Sequence, residues 1–430
     1  MSFLLNTGEQ LNLGSGAKCT VANFIGSGGQ GEVYKVKVGN DEYALKWYLP
    51  DQAKEEQRKA IQELVNKGSP SNSFLFPMDM VTKQGDASFG YIMPLRLPHY
   101  KSLFDLMGGR LHVGFDVLIQ AAFNLVDSFQ KLHAKGLCYR DISHGNIFFD
   151  NKTGDVLICD NDNVSINNSV NHGVVGTPRF MAPEVVRAES NPNTDTDLFS
   201  LAVLVFYMLF IHHPLEGANE AKIRCFDQPA MNLLYGTNPI FIFDPNNNSN
   251  YPVTGYQDNA ILYWKIYPDF LKDLFIKAFT EGLDPARRVR ESEWKQALMQ
   301  LQDSIVQCSC KAGNFASLAQ GQQHCWKCKQ PLPAFMRLQF SARKFVVLGA
   351  NTKLYPHHLD PNRTYDTSEQ WANVAQHPQD PNIWGLKNLS PNVWKATPAH
   401  GEMKAVENGR SVVLALQTQV EFGLVQAVIV

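Results

Sequence analysis

Tyr139-Arg140-Asp141-Ile142-Ser143-His144-Gly145-Asn146 decides how this chain is read. It sets a carboxylate five residues ahead of a carboxamide inside an arginine-containing turn. Fourteen residues beyond Asn146 stands Asp160, behind the apolar run Val156-Leu157-Ile158. Upstream, Gly26-Ser27-Gly28-Gly29-Gln30-Gly31-Glu32-Val33 fits the pattern G-x-G-x-x-G-x-V, and Lys46 follows Val33 by thirteen residues, the distance of one β-hairpin.

Each part has a physical use. Glycines let a strand-turn-strand backbone lie close over phosphates, with N–H groups free to point at anionic oxygens. A glycine-rich hairpin by itself most often only turns, and a lone strand lysine is most often a solvated edge. In this order and spacing, the turn, Lys46, Asp141, Asn146 and Asp160 are the parts needed to hold a nucleotide triphosphate and its magnesium against a hydroxyl group.

The marks continue along the chain. GTPRFMAPE spans Gly176–Glu184, DLFSLAV spans Asp197–Val203 and DPARR spans Asp284–Arg288. With GSGGQGEV, YALK, YRDISHGN and VLICD they make seven ordered segments. From about residue 19 to 304 the chain resembles eukaryotic-type Ser/Thr protein kinases. The resemblance implies a two-lobed α+β fold, with a β-rich lobe over residues 1–94 and a helical lobe over 95–305. It implies ATP and Mg²⁺ as cofactors and a protein substrate. Asp141 would accept or orient the substrate hydroxyl proton, Asn146 and Asp160 would hold Mg²⁺, and Lys46 would position the phosphates. Gly26, Ser27, Gly28, Gly29, Gln30, Gly31, Val33, Met93 and Leu95 would line the nucleotide. Thr177 would help to form the peptide floor, Glu184 would pair with Arg288, and Asp197 would brace the catalytic turn. Of the helix acids Glu55, Glu56 and Glu63, Glu56 is the expected partner of Lys46. Arg140 beside Asp141 resembles kinases whose site is organised by an activation-segment phosphate, with Ser165 and Ser169 as candidate acceptors.

The departures are specific. Tyr139 replaces the usual histidine, which a packed, hydrogen-bonding ring can tolerate. Ser143 replaces a lysine, and His144 is expected at the surface. Asp160-Asn161-Asp162 replaces Asp-Phe-Gly, so the flip that phenylalanine and glycine permit should be altered or absent; Asp162 is expected to face solvent. Ser143, Asn161 and Asp162 favour an alternative, a pseudokinase scaffold that binds nucleotide with little phosphotransfer. A small-molecule kinase fits GTPRFMAPE poorly, since that segment builds a shelf for an extended peptide.

The rest of the chain sets the context. With 430 residues, 44% hydrophobic and 19% charged, and a formal net charge of -2, it can bury large cores in two or three domains and carries no basic nucleic-acid footprint. The start MSFLLNTGEQ lacks the pattern of a secretion signal. The longest apolar run, Leu201 to Ile211, falls short of the roughly 20 residues a membrane helix needs. A reduced, cytoplasmic setting without membrane partners is expected.

Cys308-Ser309-Cys310 and Cys325-Trp326-Lys327-Cys328 put four thiols in one short segment, which favours a structural Zn²⁺ in a zinc ribbon over 306–335, against the alternative of free or redox-active thiols. Residues 336–430 read as a small all-β domain with a loop over 355–384. This tail is faintly similar to a forkhead-associated sandwich. Ala350 stands where the phosphothreonine-reading arginine would be, so protein docking is expected instead. The order of kinase, zinc ribbon and β domain is similar to bacterial kinases of tellurite-resistance-type systems, whose partners are a von Willebrand A-domain protein and a PP2C-type phosphatase.

Overall fold

In a computed structural model, residues 3–167, 176–316 and 323–430 are described. The chain divides into two compact units, one of residues 1–113, 120–264 and 273–294, the other of 114–119, 265–272 and 295–430.

The first unit opens with β1 (Gln10–Leu13), β2 (Lys18–Ser27), β3 (Gly31–Val38) and β4 (Asp41–Tyr48), then helix α1 (Glu55–Lys67), then β5 (Asp79–Thr82) and β6 (Phe89–Pro94). The strands form a closed antiparallel barrel in the order β1-β2-β3-β4-β6-β5, with β1 paired to β5. Its core is Leu11, Val21, Tyr34, Val36, Leu45, Trp47 and Val81. Strand alternation therefore turns Leu45 and Trp47 inward and places Lys46 and Tyr48 on the other face. Helix α1 starts only at Glu55, because the N–H groups of Gln52 and Ala53 both bond back to the Leu49 carbonyl and use Asp51 and Gln52 in a turn. It stops at Gly68, whose φ is 69°.

The helical part follows. β7 (Tyr100–Ser102) leads into α2 (Leu103–Met107) and α3 (Phe115–Ala134). β8 (Leu137–Cys138), β9 (Ile147–Asp150), β10 (Val156–Ile158) and β11 (Ser165–Ile166) come next; β10, β9 and β7 form one sheet, β11 and β8 another. After α4 (Pro183–Val186), α5 (Thr194–Phe210) is started by an Asn193–Thr196 capping box and is buried from Thr196 onward. A helix apolar on every side is one enclosed by protein. No helix among the described residues is long and apolar enough to cross a membrane. A further helix begins after Pro268, at Asp269, and runs to Phe279.

In the second unit, strands Ile305–Gln307 and Gly313–Phe315 form a hairpin. Beyond it lie a six-stranded sheet (in spatial order 345–348, 336–339, 426–429, 419–421, 394–397, 404–406) and a four-stranded sheet (353–354, 372–376, 384–388, 411–413). Leu338, Val346, Trp371, Leu386, Trp394, Val420 and Ile429 share their core. Strand Ala372–Gln376 corrects the expected loop over 355–384, as does a short helix at Pro356–Leu359. The surrounding Pro, Asp and Asn hide a small alternating strand that gains its stability by pairing with Trp384–Asn388.

Candidate active site

Lys46 lies across from Val33 on β3 and from Tyr91 on β6. Its ammonium, on a residue only 7% exposed, donates to Asp160 Oδ1 at 2.8 Å, Asp162 Oδ2 at 2.6 Å and Gln30 Oε1 at 2.8 Å. Burial opposes its charge, but Asp162 and Asp160 outweigh it and hold the pKa above the ordinary lysine value. Over the glycine turn, an added Cβ at Gly26, Gly28 or Gly29 would meet nothing within 4 Å, so the chain's own packing leaves that space open. Gly31 differs. A Cβ there would fall 2.2 Å from the Trp47 carbonyl oxygen, so strand pairing demands glycine. Val33 and Leu95 are partly buried and Met93 is buried.

Two expectations about Lys46 are corrected. Glu55, Glu56 and Glu63 are all exposed, and the lysine's carboxylates come from the 160–162 segment. The helix points inward through Ile61 and Leu64, and Gln57, four residues before Ile61, shares that face. Gln57 Nε2 donates to the Tyr48 hydroxyl at 3.1 Å, and Tyr48 donates to Asp162 Oδ2 at 2.6 Å. Asp162 is therefore not solvent-facing: its side chain has no exposure. Burial works to raise its pKa, but Lys46 and Tyr48 hold its carboxyl below the usual range. The reversal follows from Asp160, which sits in the left-handed region at φ 55° and turns the next residues into a short helical turn facing inward.

The turn over 139–146 is held from several sides. Arg140 is also left-handed, at φ 73°. Asp141 Oδ1 accepts from the Thr177 hydroxyl at 2.8 Å. Asn146 Nδ2 donates to the Asp141 carbonyl at 3.0 Å, which leaves its amide oxygen as the atom to offer a cation. The Asn146 carbonyl accepts from Cys159 N–H at 2.9 Å, tying the turn to the residue before Asp160. Tyr139 is buried and its hydroxyl donates to the Cys159 carbonyl. Asp197 accepts from the N–H groups of Tyr139 (2.6 Å) and Arg140 (3.1 Å), while Asn193 caps its helix. His144 corrects the surface expectation: it is half-buried, stacked among Phe104, Phe180 and Tyr207, and burial with nearby Arg179 pushes its pKa down. Ser143 is buried as well. Ser165 is only 8% exposed and lies in β11, which corrects its standing as an accessible phosphate acceptor; Ser169 lies outside the described residues.

Below the turn, Arg288 Nη2 donates to both Glu184 oxygens at 2.7 and 2.8 Å, and its Nη1 donates to the Asp195 carbonyl at 2.7 Å. His133 bridges Asp197 (3.1 Å) and Glu291. Burial lowers its pKa, but hydrogen bonds to the two acids prevail and lift it to about 9. A raised folded pKa stabilises the fold below the unfolded histidine value and loses that contribution as pH rises through the folded one. Denaturant titrations should lose on the order of 2 kcal/mol between about pH 6.5 and 9, and His133→Gln should flatten that slope.

In the second unit, Cys308, Cys310, Cys325 and Cys328 bring their sulfurs within 4.8 Å of one another. Cys308–Cys328 and Cys310–Cys325 are 3.6 and 3.7 Å apart. Cys308 and Cys310 share one tight turn, and Cys325 and Cys328 another; the turns end on left-handed lysines, Lys311 at φ 67° and Lys329 at φ 61°. Asn314 Nδ2 approaches Cys325 Sγ at 3.5 Å.

Lys46, Asp141, Asn146 and Asp160 are thus linked by direct and backbone hydrogen bonds. The protein kinase domain model matches residues 19–288, more than half of the chain, and the chain belongs to that family. It is similar to protein kinase YegI of Escherichia coli (strain K12), at 24% identity over 332 residues, 72% of this chain and 48% of that protein. It is also similar to CBL-interacting protein kinase 4 of Oryza sativa subsp. japonica, at 25% over 185 residues and 38% of each chain. Likeness to a probable serine/threonine-protein kinase CCRP1 of Zea mays reaches 25% over 210 residues, 47% of this chain and 33% of that one. The chain thus spans about half or less of these relatives' lengths.

Proposed function

We propose that the chain is an ATP- and magnesium-dependent Ser/Thr protein kinase. The observation that carries this reading is the convergence of Lys46, Asp141, Asn146 and Asp160 through direct and backbone hydrogen bonds. Bound magnesium would supply positive charge that screens the triphosphate. The Asp160 carboxylate and the Asn146 amide oxygen would hold it, and both are the hard oxygen donors that ion takes. Lys46 would orient the phosphates under the open glycine turn, with Val33, Met93 and Leu95 on the base side. Asp141 would receive or orient the proton of the substrate hydroxyl, with Thr177 steadying its carboxylate. Such catalysis is positioning and electrostatics, which fits a site built from fixed turns.

The purified chain, given γ-labelled ATP and a generic protein substrate, should label serine or threonine in magnesium and not in excess chelator. Nucleotide binding without label transfer would replace this reading with the scaffold.

For the second unit we propose a structural Zn²⁺ on the four cysteines. Tetrahedral thiolates at a Zn–S distance of about 2.3 Å lie about 3.8 Å apart, close to the pairwise separations above. Metal analysis should return about one zinc per chain; a folded, metal-free preparation would contradict this. We further assign 306–335 as a zinc ribbon and 336–430 as a β-sandwich used for protein docking. What supports a bacterial signalling setting is the likeness to YegI. A von Willebrand A-domain protein and a PP2C-type phosphatase are the partners the domain order suggests.

A further inference from the structure

We propose that Asp162 is the counter-ion that positions Lys46 for the triphosphate, in the place a glutamate on α1 would otherwise hold. The proposal rests on the kinase reading.

Lys46 touches two carboxylates that differ in their surroundings. The Asp160 side chain is 38% exposed, within reach of ligand and metal; that of Asp162 has no exposure. A cation that claims Asp160 takes away part of the lysine's compensation. Asp162 has no competing cation among the described residues, and an uncompensated buried ammonium is costly. The pair is short, at 2.6 Å, and the same Oδ2 takes the Tyr48 hydroxyl. Asp162 Oδ1 is buried without a hydrogen-bond partner among the described residues, so the carboxylate is held through the oxygen that meets the lysine.

The helix contributes differently. Its hydrogen-bonded link to this cluster is the neutral Gln57, which reaches Asp162 only through the Tyr48 phenol. No α1 carboxylate touches Lys46, and none is needed to balance it. The third acceptor, Gln30 Oε1 at 2.8 Å, sits on the glycine turn. It is neutral and partly exposed, so a phosphate oxygen can replace it at little cost. The lysine is thus preset by the segment that also carries the metal-binding aspartate.

The test uses the full chain and measures kcat, the KM for ATP and the thermal midpoint. Asp162→Asn keeps the shape and removes the charge. It should lower kcat by at least about 50-fold while changing KM less than about 5-fold; the midpoint should also fall, because Lys46 loses a fully buried partner, so kinetics are read at a temperature where the variant is folded. Glu55→Gln, Glu56→Gln and Glu63→Gln are surface changes and should each stay within about 2-fold of wild type. The double variant Asp162→Asn/Gln57→Glu restores a carboxylate one phenol away and should recover at least about 5-fold of the loss. Wild-type kcat in Asp162→Asn, an equal loss from any α1 glutamate variant, or a double variant no better than the single would overturn the proposal. A wild type that transfers no label fails the kinase reading itself, and this role with it.

Discussion

Asp141→Asn is expected to leave about a thousandth of wild-type phosphoryl transfer with ATP affinity nearly unchanged, and Asp160→Ala to lose a similar factor together with magnesium dependence. The two losses have different origins. Asn at 141 can still accept from Thr177, so the turn keeps its hydrogen bond. On the proposed role of Asp141, what disappears is a charged acceptor for the hydroxyl proton, a loss felt in the transition state rather than in nucleotide binding. Removing the Asp160 carboxylate strips the cation of its only fully charged proposed protein ligand and takes one of two acidic partners from Lys46. Raised magnesium should therefore rescue Asp160→Ala weakly and Asp141→Asn not at all. Steady-state kinetics over a magnesium series separates them. Equal activity in wild type and both variants would remove these residues from the chemistry.

Arg288→Ala should destabilise the first unit by about 3–5 kcal/mol, the range for breaking a buried ion pair. Arg288 is 4% exposed, and its guanidinium serves the Glu184 carboxylate and the carbonyls of Asp195 and Gly282. Truncation leaves a poorly hydrated carboxylate and two carbonyls without their donor, and it opens a void beside Phe199, over whose ring the guanidinium lies. Arg288→Lys should recover only part of the loss, because an ammonium cannot reproduce the planar fork. Urea unfolding of wild type, Arg288→Ala and Arg288→Lys measures this. A loss under about 1 kcal/mol would mean that the pair is solvated and contributes little.

What could be read in the chain and what could not divide along a physical line. The glycine turn, Lys46, Asp141, Asn146 and Asp160 were legible because their spacing is set by local backbone: one hairpin, one turn, one strand followed by an aspartate. The partner of Lys46 was not. It depends on which way the chain leaves Asp160, and a left-handed residue there sends Asp162 inward. A signal was available in α1. Ile61 and Leu64 mark its buried face, Gln57 shares it, and the three glutamates do not. Tyr48, two residues after Lys46, shares the lysine's face by strand alternation, so the Gln57–Tyr48 link was within reach of periodicity alone. His144 looked like a surface residue because only the tertiary fold brings Phe104, Phe180 and Tyr207 around it. In the tail, Ala372–Gln376 was hidden because small residues gain strand character only from their neighbours.

The central claim is that Lys46, Asp141, Asn146 and Asp160 gather around a single metal-bound triphosphate. A crystal structure with magnesium and a non-hydrolysable ATP analogue tests it most directly. The account predicts a cation about 2.1 Å from an Asp160 carboxylate oxygen and from the Asn146 amide oxygen, with a phosphate oxygen replacing Gln30 at Lys46 and Asp162 still on the lysine. A nucleotide bound elsewhere, or a cation that Asp160 and Asn146 do not touch, would contradict it.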